Sequence, residues 1–208
     1  MAQRDRYLVP AGYGEAVLVE KRSRFVARIW HVGDEKTAQD RIGETRDLCR
    51  DAAHNVFAYV LRNGPTRYGD DGEPQGTAGL PTLNVLVHGG FFNACCVVTR
   101  YFGGVLLGAG GLARAYSTAA KMALDAAGTC EMRLWSVLLI PCPYSLLERT
   151  KNLLAACGGV AANSDFGVEV VIEAYTPAER TEEFVRGLLD ASSGLVRAEV
   201  MDTVFRGV

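Results

Sequence analysis

The stretch FNACCVVTRYFGGVLLGAGGLARAY, residues 92–116, carries the reading of the fold. Its opening, FNACCVVT, is uninterrupted and apolar, the pattern of a central strand covered on both faces. Residues 100–111 then hold five glycines, Gly103, Gly104, Gly108, Gly110 and Gly111, and Arg100 and Arg114 stand on the flanks. A helix follows to about Ala127, where Leu112, Tyr116, Ala119, Ala123 and Ala126 make a narrow small-residue face that lets a helix lie close to a sheet. Gly128 ends it.

Strand, glycine loop and helix start together make an anion site by default, because the first helical amides lack partners and the helix dipole favours negative charge there. Two familiar phosphate motifs fail the test. Gly103 to Gly108 has P-loop spacing, but Ala109 and Gly110 stand where Lys and Ser or Thr are required. Gly108, Gly110 and Ala113 match GxGxxA, yet the residues from Arg100 to Leu107 separate the motif from its strand. A structural reading stays open beside the functional one: glycines closing a left-handed turn and letting the alanine helix approach the sheet. Tyr101 and Phe102 read as exposed aromatics on the same surface.

Upstream, GEAVLVEKRSRFVARIWHV reads as two short strands or one bent one. Phe25, Ala27 and Ile29 share one face, and Arg22, Arg24, Arg28 and Trp30 the other, which is either a solvated sheet face or a platform for phosphates and a stacked base. Asp34 is a good N-cap for a helix to about residue 51, with Ala38, Ile42, Thr45, Cys49 and Ala52 at helical spacing. HNVFAYVLR (54–62) returns to strand. NGPTRYGDDGEPQGTAGLP is then a long loop, followed by a short helix over TLNVLVHGG with Pro81 in its first turn and Gly89 at its end.

Past Gly128 the pattern restarts. Strand MRLWSVLLIP, helix 145–157, strand 159–163, strand GVEVVIEAY, helix 177–190 and strand VRAEVMDTV give the order βαββαβ. That is the ferredoxin-like arrangement. Ser145 with Glu148, and Thr176 with Pro177 and Glu179, fit capping boxes, while Gly158 and Gly194 follow the two helices. The expected class is α+β in two domains, 1–128 and 129–208.

Composition narrows the function classes. At 49% hydrophobic and 22% charged residues, the chain has an ordinary globular balance. The charged start MAQRDRYLVP has no apolar core of a secretory signal and no run is long enough to span a bilayer, so a soluble, cytoplasmic protein without a membrane partner is expected. Six cysteines fall outside any CxxC pair, which points to reduced, buried thiols rather than a metal or redox site. Net charge is −2; residues 1–128 hold 15 Lys and Arg against 13 Asp and Glu, and residues 129–208 hold 7 against 11. Neither half is a dedicated duplex binder, and any nucleic-acid contact must come from a local patch.

The long loop contains a second constellation. DDGEPQGTAG gathers Asp70, Asp71 and Glu73, which repel one another unless a cation, an arginine or backbone amides intervene. A divalent metal, acid catalysis, and turn chemistry with salt bridges to Arg67, Arg100 or Arg114 all remain open, although the spacing does not match an EF-hand. His31, His54 and His88 have no Ser or Cys partner in a known motif, and GxSxG and HExxH do not occur.

KRSRFVA (21–27), DDGEPQGTAGLP (70–81) and VVTRYFGGVLLGAGGLARAY (97–116) together resemble the signature segments of the IMPACT family, in its bacterial YigZ-like branch. The resemblance implies a first domain like domain 2 of ribosomal protein S5 and a second, ferredoxin-like domain similar to the last domain of elongation factor G. Both likenesses point towards translation, though a shared fold does not carry function. Eukaryotic members regulate translation initiation by competing for the large activator of a starvation-responsive kinase; that partner goes with a different extra domain and is not carried over. The site implied comprises Asp70, Asp71, Glu73, Gly76, Thr77 and Gly79 with Arg100, Tyr101, Gly103, Gly104, Gly108, Gly110, Gly111 and Arg114. The leading expectation is a non-enzymatic, cofactor-free binding protein of translation regulation. In it the loop amides with Arg100 and Arg114 hold a phosphate or acidic group of RNA, the ribosome or a protein partner such as a translation factor, and the acidic loop orders the site. The alternative is an enzyme acting on a small phosphorylated or acyl substrate through Asp70, Asp71 or Glu73.

Overall fold

The structure is a computed structural model that describes residues 5–207; the first four residues of the charged N-terminal segment lie outside the described residues. The chain divides into two compact units, one of Tyr7–Glu131 and the other of the residues from Met132 onward together with Asp5 and Arg6.

In the first unit, β1 (Arg6–Pro10) leads to the hairpin of β2 (Gly14–Glu20) and β3 (Ser23–His31). Lys21 and Arg22, both at positive φ (44° and 69°), make its two-residue turn, so the segment is two strands rather than one bent one. That geometry is the primed turn whose twist suits a hairpin, normally built from Asn or Gly. Next come α1 (Glu35–Leu48), β4 (His54–Val60), β5 (Thr66–Gly69), α2 (Gly79–His88), β6 (Ala94–Tyr101) and α3 (Ala109–Ala127). Strands β2 to β6, without β1, form one antiparallel sheet in the order β2-β3-β6-β4-β5.

β6 lies at the centre, and its alternating side chains serve two cores. Cys96 and Val98 join Phe25, Ile29 and the α2 and α3 side chains on one face, and Cys95 and Val97 join Ile42 of α1 on the other. Asp34 caps α1, its carboxylate accepting from Thr37 N–H at 2.7 Å. The small-residue face of α3 allows contact at backbone range: a Cβ on Gly14 of β2 would stand 2.2 Å from the Ala123 carbonyl. Ala126 is exposed and Ala127 takes the buried place assigned to it.

The loop after β4 is not irregular throughout. Thr66–Gly69 pairs with Val60–Phe57, and Gly69 is bare because a Cβ would meet the Phe57 ring at 2.4 Å. Partner-supplied hydrogen bonds override the local Gly and Pro signals here.

In the second unit, β7 (Thr129–Cys142), α4 (Leu147–Ala156), β8 (Val160–Phe166), β9 (Val170–Pro177), α5 (Thr181–Ala191) and β10 (Glu199–Gly207) run in βαββαβ order. The sheet order β10-β7-β9-β8, antiparallel throughout, is the ferredoxin-like 4-1-3-2. Leu138, Ile140 and Ile172 pack under Leu154, Phe184 and Leu188. Neither expected capping box forms. A 3-10 turn precedes each helix, Tyr144–Leu146 and Ala178–Arg180, so α4 and α5 start later and without a side-chain cap. Thr176 instead meets the Thr181 hydroxyl at 2.9 Å, and Thr181 donates to Ser136 at 2.8 Å, a buried hydroxyl chain.

Candidate functional site

The acidic loop joins β5 to α2, and the fold turns its three carboxylates in three directions. Asp70 accepts from the N–H groups of Gly76 (2.9 Å), Ala78 (3.1 Å) and Gly79 (2.8 Å), serving as a remote cap for α2. Gly76 at φ 76° and Gly79, where a Cβ would press on Gly69 at 2.9 Å, permit that wrap; Thr77 donates its hydroxyl to the Pro74 carbonyl at 2.6 Å. Asp71 accepts from Asn55 N–H at 2.6 Å and from Arg46 at 3.2 Å, while its carbonyl lies 2.8 Å from His54 Nδ1.

Glu73 points inward. Its carboxylate is 3% exposed and accepts from Arg100 Nη1 at 2.6 Å and from the Tyr116 hydroxyl at 2.8 Å, with His54 Nε2 at 3.8 Å. Burial first, then the adjacent Glu73 charge, pushes the Tyr116 phenol far above its ordinary range. No converging acid pair is assembled, and among the described residues no cluster of His, Cys, Asp and Glu has the makings of a metal site. The cysteines are free, and burial raises the Cys95 thiol to about 12.

Arg100 was expected to face a ligand, and the structure corrects this. It lies on β6 with its side chain 6% exposed, donating to Glu73 and, at 3.4 Å, to the Ser23 hydroxyl. On the central strand its guanidinium lies 5.5 Å from the Phe25 ring centre and 5.4 Å from that of Phe102. Tyr101 beside it lies under the Arg24 guanidinium, 4.4 Å from the ring centre.

The loop glycines divide by cause. Gly103 donates its N–H to Ser23 Oγ at 3.2 Å, and a Cβ there would stand 2.0 Å from the Arg22 carbonyl carbon, so the group approaching this backbone is the β2–β3 turn. Gly104 and Gly108 sit at φ 82° and 72°. Gly111 is moderately close to Leu107, at 3.1 Å, but a Cβ on Gly110 would meet nothing within 4 Å. The chain's own packing does not call for a glycine at Gly110.

What stays open is the N-terminus of α3. Gly108 occupies the cap position with no side-chain bond, and the first turn holds no acidic residue. A hollow of about 280 Å³ beside it is lined by Leu18, Glu20, Lys21, Leu107, Gly111 and Arg114. Arg114 also borders a larger groove, about 1020 Å³, between α2 and α3, with Val85, His88, Phe91 and Lys121. Lys21, Arg22 and Arg114 make no ion pair among the described residues, whereas Arg28 is paired to Glu15 at 2.9 Å. Of the two arginines expected to converge, only Arg114 reaches the hollow; Lys21 stands where Arg100 was expected. The sequence signal for Lys21 was its place at a two-residue break between strand patterns.

An antiparallel α+β unit with an uncapped glycine-loop helix, joined in one chain to a ferredoxin-like unit, defines a two-domain class, and comparison with known proteins places the chain within it. Residues 21–124 match the Impact N-terminal domain, and residues 140–195 match a domain of unknown function, DUF1949. IMPACT family member YvyE of Bacillus subtilis is 34% identical over 183 residues, 87% of this chain and 84% of that protein. IMPACT family member YigZ of Escherichia coli is 34% identical over 194 residues, 91% and 95% of the two chains. A crystal structure described only as that of a hypothetical protein covers 96% of this chain and 99% of its own at 32% identity, with TM-score 0.62. This chain belongs to the IMPACT family. No helix among the described residues is long and apolar enough to cross a membrane.

Proposed function

We propose that this protein is a non-enzymatic RNA-binding protein of translation, holding backbone phosphate at the start of α3. The observation that carries the reading is the open N-terminus of a 19-residue helix beside a hollow lined by Lys21, Arg114 and Glu20, with Arg22 next to Lys21 on the same turn. Unpartnered N–H groups, the positive end of the helix dipole and unpaired cations act on an anion in the same sense. Gly110 and Gly111 leave the first-turn amides uncovered, and the Ser23 hydroxyl, taking Gly103 N–H, fixes the loop against the turn that presents Lys21. The acidic loop supports this arrangement from behind, since Glu73 binds the same Arg100 that reaches Ser23. Resemblance of the two domains to parts of ribosomal protein S5 and elongation factor G directs the reading to RNA of the translation apparatus.

Co-sedimentation with ribosomes tests it. The Lys21→Ala, Arg114→Ala double variant is expected to leave most of the protein in the supernatant at a salt concentration where the parent pellets. Undiminished pelleting of a correctly folded double variant contradicts the reading.

A further inference from the structure

We infer that Asn63 is a modification site, where the side-chain amide is lost to the backbone nitrogen of Gly64 and the residue ends as isoaspartate or aspartate. The chain's asparagines are Asn55, Asn63, Asn84, Asn93, Asn152 and Asn163, and Asn63 is the one followed by glycine. Asn63 and Gly64 are both exposed in the turn that joins β4 to β5, where Leu61 N–H reaches the Pro65 carbonyl at 3.4 Å. Among the described residues the Asn63 amide has no hydrogen-bond partner.

The chemistry needs that combination. The deprotonated Gly64 nitrogen attacks Asn63 Cγ, an N–Cγ bond closes a five-membered succinimide, the Cγ–Nδ2 bond breaks, and the amide nitrogen takes a proton from water and leaves as ammonia. Water then adds to either ring carbonyl. Opening at Cγ gives aspartate; opening at the backbone carbonyl routes the chain through the side chain and gives isoaspartate. The net change is water in and ammonia out, with nothing oxidised or reduced. Glycine leaves the attacking nitrogen unshielded and its φ and ψ free to bring that nitrogen to Cγ. Asparagine in a turn folds its side chain back onto the neighbouring backbone.

Elsewhere the fold withholds these conditions. Asn55 donates to the Cys49 carbonyl at 3.3 Å and accepts from the Thr99 hydroxyl at 2.9 Å, and Asn93 accepts from Arg62 N–H at 3.0 Å. Asn84 and Asn152 lie inside α2 and α4, where the helix ladder holds the following N–H. Asn163 lies within β8 and is followed by serine. Asp71–Gly72 is the acid counterpart of the same dipeptide, but its carboxylate is held by Asn55 N–H at 2.6 Å and Arg46 at 3.2 Å. Each conversion at Asn63 adds one negative charge to a chain of net −2. Isoaspartate also lengthens the backbone between the paired residues Val60 and Thr66 by one methylene.

Storage of the intact, folded protein at mildly alkaline pH, where the Gly64 nitrogen loses its proton more often, tests this. The readouts are peptide mapping, anion exchange, and carboxyl methylation by an isoaspartyl methyltransferase. The peptide holding Asn63 is expected to exchange an amine for a hydroxyl in mass and to accept methyl groups, as a more acidic form of the protein accumulates. Peptides with the other asparagines and with Asp71 are expected to stay unchanged over the same interval. Gly64→Ala is expected to slow the conversion several-fold. A Cβ there would stand 3.1 Å from the Leu61 side chain, so Asn63→Gln, on the exposed side of the turn, gives a second check and is expected to form none of the acidic product. An Asn63 peptide that stays intact in the folded protein while the urea-unfolded chain converts overturns the inference. So does an acidic form that accumulates undiminished in Asn63→Gln.

Discussion

The Arg100 guanidinium and the Glu73 carboxylate are both almost wholly out of water, and Tyr116 gives the same carboxylate a second donor. Removing one partner of such a pair leaves an uncompensated buried charge, at a cost of roughly 3–5 kcal/mol. Arg100→Ala is therefore expected to lower unfolding stability by about that amount in urea titration, and RNA binding should fall only as far as the folded fraction does. A stable, fully folded Arg100→Ala that loses RNA binding would return this side chain to the ligand surface. Glu179 makes a different case. Its bond to Arg133, with Arg6 also donating, lowers its carboxyl to about 2 from an ordinary 4.5. A depressed folded-state value means the stabilisation is present above 4.5 and lost as pH falls towards 2. The side chain is 38% exposed, so screening limits the gain to about 1 kcal/mol at most. Glu179→Gln is expected to flatten the acid limb of the stability profile in that window while leaving the profile above pH 6 nearly parallel to the parent's. At this scale the sequence shows which residues gather but not where they point. Asp70, Asp71 and Glu73 are neighbours in the chain, yet their partners are Gly79, Asn55 and Arg100. Only the tertiary fold brings those within reach.

At the scale of elements, the loop between β6 and α3 separates glycines that the fold needs from those it does not. A Cβ at Gly103 collides with the backbone of Arg22 and Ser23 at 2.0–2.4 Å. Gly103→Ala is expected to cost about 1–3 kcal/mol by overpacking. Gly110→Ala fills open space in the first turn of α3, where replacing glycine by alanine gains about 0.5–1 kcal/mol of helix propensity. If the turn serves a ligand, the same substitution weakens RNA binding. Thermal melts paired with titrations check both; a Gly110→Ala protein that is more stable and binds as well as the parent removes this turn from the contact. Most elements were legible because their signals are local: the Asp34 cap, the apolar run of β6, the alanine face of α3 and the βαββαβ order. β5 was hidden because its hydrogen bonds come from β4, and the capping boxes failed because 3-10 turns after Pro143 and Pro177 delay both helix starts. The Lys21–Arg22 turn lacked Asn and Gly, the usual sign of its geometry.

Across the whole molecule, a net charge of −2 opposes general attraction to RNA, so the proposed binding requires a local site where cations lack partners. Lys21 and Arg114 meet that condition in the Tyr7–Glu131 unit, beside the hollow next to α3. The salt dependence of binding counts such contacts directly, because each neutralised phosphate releases condensed counterion. The decisive measurement is the slope of log affinity against log salt for an RNA oligonucleotide, compared between the parent and the Lys21→Ala, Arg114→Ala double variant. Loss of two phosphate contacts should make the slope shallower by about 1.4 to 1.8, with the variant still folded. Parallel lines for the two proteins would contradict the phosphate site at the start of α3.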